Sequence, residues 1–135
     1  MNEKIILKLI NLKKATNEMK EAVSLDSYSH LERAGLIKTF DFSLELLWKT
    51  LKAIIENDGA QTGGSPKEVI RQAVSIDVVS LSQGEVLIES LNQRNILSHM
   101  YNSDESEKVV EFIKDIYAKN LITIEEVLSK KYSME

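Results

Sequence analysis

Phe40, Leu44, Leu47, Leu51 and Ile54 recur at alternating spacings of four and three residues, with Ile37, Trp48 and Ile55 beside them. This line restricts the fold more than any other feature, because only an α-helix brings positions three and four apart onto one face. A helix from about His30 to Asn57 that carries such a stripe has to bury it against other helices, with Trp48 and Phe40 expected to anchor the core. The chain supplies them. Ile5, Leu9, Leu12, Met19 and Val23, with Thr16 filling the gap, mark a helix from about Asn2 to Leu25. Val86, Leu87, Ile88 and Leu91 open one that runs from about Ser82 to His99. Val109, Val110, Ile113, Ile116, Tyr117, Leu121, Ile124 and Leu128 line a last one from about Asp104 to Lys130.

The punctuation agrees with this reading. Asp26-Ser27-Tyr28-Ser29 is a short polar break rich in N-capping residues, and His30 behind it reads as a surface or capping residue. Ser65 as N-cap, Pro66 at the first helical position and Glu68 three residues after the cap start a further, short helix bearing Val69, Ile70, Ala73 and Val74. Ile76 to Ser82 is a connector whose β-branched run would be a strand without a partner to pair with. One proline and five glycines in 135 residues leave few other places to interrupt helices. The expectation is an all-α protein, an up-and-down four-helix bundle with one short extra helix, formed by residues 1–135 as one domain.

Composition excludes several kinds of function. With no cysteine there is neither a disulfide nor a thiolate metal site, which agrees with a cytoplasmic location. The first residues, MNEKIILKLINLKK, lack the uncharged core and small-residue cleavage site of a signal peptide. No apolar run is long enough to span a membrane. A formal net charge of −4 argues against a surface that grips nucleic acid as a whole. The lysines of the first segment, Lys4, Lys8, Lys13, Lys14 and Lys20, read first as a solvated face, or else as a contact for an anionic partner. The loop from Asn57 to Gly64 holds three glycines but no GxxxxGK[ST] sequence and no preceding strand, so it does not read as a phosphate cradle.

The chemistry gathers at Arg94-Asn95-Ile96-Leu97-Ser98-His99-Met100-Tyr101-Asn102. On a helix, positions 87, 91, 95 and 99 form one line, so an apolar stripe of Leu87 and Leu91 turns into Asn95 and His99 without changing face. Arg94 borders that face. A guanidinium can hold a phosphodiester bidentately, and an imidazole can move a proton near neutral pH. The plainer alternative is a helix end whose Arg and His bind carboxylates or carbonyls. Acidic residues are absent from the motif and the two histidines are far apart, so no metal site is expected, and no cofactor.

Arg94-Asn95-x3-His99 followed by x-Tyr101 resembles the signature of HEPN domains. Gly35-Leu36-Ile37, Phe40, Phe42, Glu45 and Leu47-Trp48-Lys49-Thr50-Leu51-Lys52 are similar to the second helix of the bacterial nucleotidyltransferase substrate-binding protein family, and Ser65-Pro66, Ile70 and Ala73 fall where that family starts its Ser-Pro helix. The resemblance spans roughly residues 30–101. It departs at Asp41 to Leu44 and at Gln83 to Ile88, both less aromatic than the family pattern. It implies a subunit that binds nucleotide or substrate and pairs with a separate minimal nucleotidyltransferase, as in toxin–antitoxin modules. A metal-independent ribonuclease toxin acting on RNA, with Arg/His sets shared across a homodimer, is the alternative, and an inactive helical interaction module is a third. By resemblance, Arg94, Asn95 and His99 are the catalytic set, Arg94, Ser98 and Asn102 contact substrate, and Tyr101 receives AMP from the partner enzyme.

Overall fold

The computed structural model describes residues 3–99 and 103–132, with side chains over residues 3–97 and 106–132. It is all-helical, and no strand occurs among the described residues. Helix α1 spans Glu3–Ala22, α2 His30–Asn57, α3 Pro66–Ser75 and α4 Leu81–His99. The last rod consists of α5 (Ser103–Phe112), a π-helical turn (Ile113–Tyr117) and α6 (Ala118–Lys131). Four long helical segments and one short helix therefore stand where the periodicity places them.

The caps are local and visible in the sequence. Ser29 closes a capping box on α2: its hydroxyl accepts from the Glu32 amide, and Glu32 accepts in return from the Ser29 amide. Ser65 caps α3 through the Glu68 amide, with Pro66 at the first helical position. Ser80 and Gln83 make the same reciprocal pair ahead of α4. Each satisfies amide donors that a helix start leaves unpaired.

Helix α1 packs mainly on α2 and also on α6, while α3 bridges α2 and α4. The core that results unites Ile5, Leu9 and Leu12 of α1, Phe40, Leu44, Leu47 and Leu51 of α2, Leu87 of α4 and Ile113, Leu121 and Leu128 of the last rod. Gly84 permits the α3–α4 approach, since a Cβ there would lie 2.4 Å from Val74 Cγ2.

Two positions differ from the sequence reading. Trp48, expected as a core anchor beside Phe40, is only half-buried at the rim, where its indole N–H finds the Glu45 carboxylate 3.1 Å away. The fully buried aromatics at the centre are Phe40 and Tyr117, their rings edge to face with centroids 4.8 Å apart. Ile116, placed in the apolar set of the last helix, is exposed. It sits within the π-helical turn, whose wider winding shifts the phase of the side chains and turns Tyr117 inward.

Candidate functional site

Helix α4 is continuous through Arg94 and Asn95 to His99. Leu87 is fully buried and Leu91 nearly so, whereas Asn95 is exposed. The stripe of α4 therefore changes from apolar to polar where this line of the helix leaves the core, while Leu97 still packs against it. Arg94 and Asn95 emerge into a cleft of about 450 Å³ between α4 and the outer face of α2. Ala34, Ile37 and Leu97 form its apolar wall, and Lys38 and Asp41 face Arg94 and Asn95 as its polar part. A volume in that range suits a small ligand.

Arg94 crosses from α4 to α2. Its Nη1 lies 3.5 Å from Glu45 Oε2, and its Nε lies 3.9 Å from Asp41 Oδ1. Asp41 and Glu45 are four apart on α2, so helical geometry aims both carboxylates at one place. Glu45 is the hub of this corner. Besides Arg94 and the Trp48 indole, it holds the Lys49 ammonium at 3.0 Å. Partial burial opposes its ionisation, but the hydrogen bonds from Lys49 and Trp48 and the charges of Lys49 and Arg94 outweigh that, leaving its carboxyl below the ordinary range.

Behind this surface, Ser43 Oγ lies 2.7 Å from the Tyr117 hydroxyl and donates toward the Phe40 carbonyl at 3.2 Å. That pair joins the inner face of α2 to the π-helical turn, on the side opposite the Arg94 corner. Burial pushes the Tyr117 hydroxyl far above its usual range.

Of the residues the sequence singled out, Arg94 and Asn95 are brought together on the cleft. Ser98 and His99 occupy the last turn of α4, and their side chains, like Tyr101 and Asn102 entirely, lie outside the described residues. Lys38 and Asp41 were not singled out, and Glu45 entered only through the family resemblance. The signal available for the two acids was their i, i+4 spacing on the polar side of α2. No group of three or more His, Cys, Asp or Glu able to hold a metal occurs among the described residues, and no described helix is long and apolar enough to cross a membrane.

The family model of nucleotidyltransferase substrate binding protein like chains matches residues 7–130. Among curated proteins, none is significantly similar to the chain. Solved structures are. A Thermus thermophilus protein superposes with a TM-score of 0.78 at 28% identity, over 87% of this chain and 98% of that one. The Shewanella oneidensis HEPN toxin, tri-AMPylated and in complex with its MNT antitoxin, gives 0.78 at 15% identity over 96% and 99%. The cytosolic protein YutE of Bacillus subtilis gives 0.69 at 16% identity over 93% of each chain. At the two lower identities the likeness is one of fold.

Proposed function

The chain belongs to the nucleotidyltransferase substrate binding protein like family, and from that premise we propose that it is the nucleotide- or substrate-binding HEPN subunit of a two-protein module whose other member is a separate minimal nucleotidyltransferase. The observation that carries the reading is the cleft between α2 and α4, where Arg94 and Lys38 stand beside an apolar wall. Such a wall accepts a base or another flat apolar group, and the two cations accept a phosphate. Arg94 and Asn95 bind from the cleft, with Ser98 and Asn102 as the further substrate contacts that the family resemblance implies. The arrangement in the Shewanella oneidensis complex, a HEPN toxin with its MNT antitoxin, supports a toxin–antitoxin pairing.

Tyr101 is then the acceptor of AMP from the partner. A nucleotide attached there adds a phosphate that an arginine can hold and a bulky base that obstructs substrate. Co-expression with a cognate minimal nucleotidyltransferase should give a stable complex, and ATP should add adenylyl mass to the wild-type chain but not to Tyr101→Phe. Failure to co-purify, or equal addition to the Tyr101→Phe variant, removes the reading.

A second reading is favoured by one specific feature, the helical continuity that carries Arg94 and His99 on one segment. In it the chain is a metal-independent ribonuclease whose Arg94 holds the scissile phosphate and whose His99 moves a proton, the site being completed by a second copy in a homodimer. Loss of general acid–base catalysis costs about 10²–10⁴-fold, so His99→Ala should abolish cleavage at unchanged helicity. Full RNA cleavage by that variant eliminates this reading.

A further inference from the structure

We infer that Asp41 and Glu45 are built-in competitors for the anionic ligand of the cleft: a phosphoryl group binds by taking Arg94 away from the two carboxylates, which thereby weaken its hold. The inference rests on the reading of the cleft as a phosphate-bearing ligand's site.

Arg94 lies loosely in the grip of α2. Contacts of 3.5 and 3.9 Å are long for a charged pair, whereas an arginine closes on a phosphate bidentately at about 2.7–2.9 Å. The guanidinium is also within a ligand's reach, its side chain being 27% exposed and lining the cleft.

The exchange strands no charge. When Arg94 leaves, Glu45 keeps Lys49 at 3.0 Å and the Trp48 indole at 3.1 Å. Asp41, 59% exposed at its side chain, returns to water. A carboxylate with no other partner would resist the swap, because an unpaired charge left in a protein surface is costly. Here both acids are provided for in advance. Lys38, three residues before Asp41 on α2 and on the rim of the same cleft, adds a second cation for the incoming group.

The carboxylates therefore act as a brake on anion binding. With Arg94 paired, its charge is already met by Asp41 and Glu45, and a neutral ligand gains nothing by displacing an acid. A phosphomonoester dianion does, since it offers Arg94 more charge at shorter range. This makes Asp41 and Glu45 affinity-setting residues, which weaken a phosphomonoester and leave its uncharged counterpart untouched.

The test is titration calorimetry of the full chain with AMP, inorganic phosphate and adenosine. Glu45→Gln and Asp41→Asn should tighten AMP and phosphate by about three- to tenfold, the range that one or two partly exposed ion pairs represent. Adenosine should be unaffected. Glu45→Asp separates competition from simple repulsion, because it keeps the charge and shortens the reach toward Arg94. Tightening in Glu45→Asp as well as Glu45→Gln is the expected result, and AMP binding detectable only after Glu45 is replaced is its extreme form. Unchanged or weaker AMP binding in Glu45→Gln, or tightening confined to Glu45→Gln, overturns the inference while leaving the cleft a nucleotide site. AMP binding equal in wild type and Arg94→Ala, or absent from every variant, overturns the cleft assignment itself and this inference with it.

Discussion

The hydroxyls of Ser43 and Tyr117, 74 residues apart in the chain, meet at 2.7 Å in the buried centre of the protein. The bond ties the middle of α2 to the π-helical turn of the last rod. Ser43 has the Phe40 carbonyl as a second partner, so Tyr117 serves as its donor. Tyr117→Phe should cost about 1 kcal/mol at neutral pH, the usual net worth of such a bond, read as a lower urea midpoint.

The same residue makes stability depend on alkaline pH. Tyr117 has its hydroxyl pKa raised by burial, so its contribution is complete below the unfolded tyrosine value of about 10 and is lost as pH climbs beyond it. The stability curves of wild type and Tyr117→Phe should converge above that pH. Parallel curves would show that Tyr117 ionises as readily folded as unfolded.

Glu45 works in the opposite direction. Its carboxyl lies below the ordinary range because Lys49, Trp48 and Arg94 together outweigh the effect of burial. A depressed acid contributes stability above the unfolded glutamate value of about 4.3 and loses it as pH falls through the folded value. Glu45→Gln should melt at a lower temperature than wild type at pH 7, with the gap closing in acid.

Phe40 and Trp48 should respond differently to truncation. Phe40→Ala opens a cavity in the fully buried centre and should cost about 3–5 kcal/mol in chemical denaturation. Trp48, half-buried at the rim, should fall below that range, since part of its surface is already wet.

Gly84→Ala pits helix propensity against packing. Alanine is favoured over glycine within a helix by about 1 kcal/mol. Against this, its Cβ would meet Val74 Cγ2 at 2.4 Å, and a valine on a helix has one strongly preferred rotamer with which to yield. Net destabilisation of about 1–3 kcal/mol by urea titration is expected, as for overpacked helix contacts.

The helices could be placed from the sequence because their causes are local. Apolar spacings of three and four, Ser29 with Glu32, and Ser65-Pro66 with Glu68 act within one or two turns and set where each segment begins and which face turns inward. Arg94 stood out for the same reason, being a charge on the flank of a stripe that turns polar. Periodicity says that a face is buried but is silent on what it meets, and the remaining features depend on that. The partners of Arg94 are Asp41 and Glu45, 53 and 49 residues earlier, and only the crossing of α2 with α4 brings them together. Trp48 occupies the edge of the apolar stripe, partly buried against the core with its indole N–H on Glu45. The phase change in the last rod places Tyr117 inside and Ile116 outside, although both are large and apolar enough for the core. Local physics determined the helices, and the long-range packing of one helix on another decided which charges meet at the cleft.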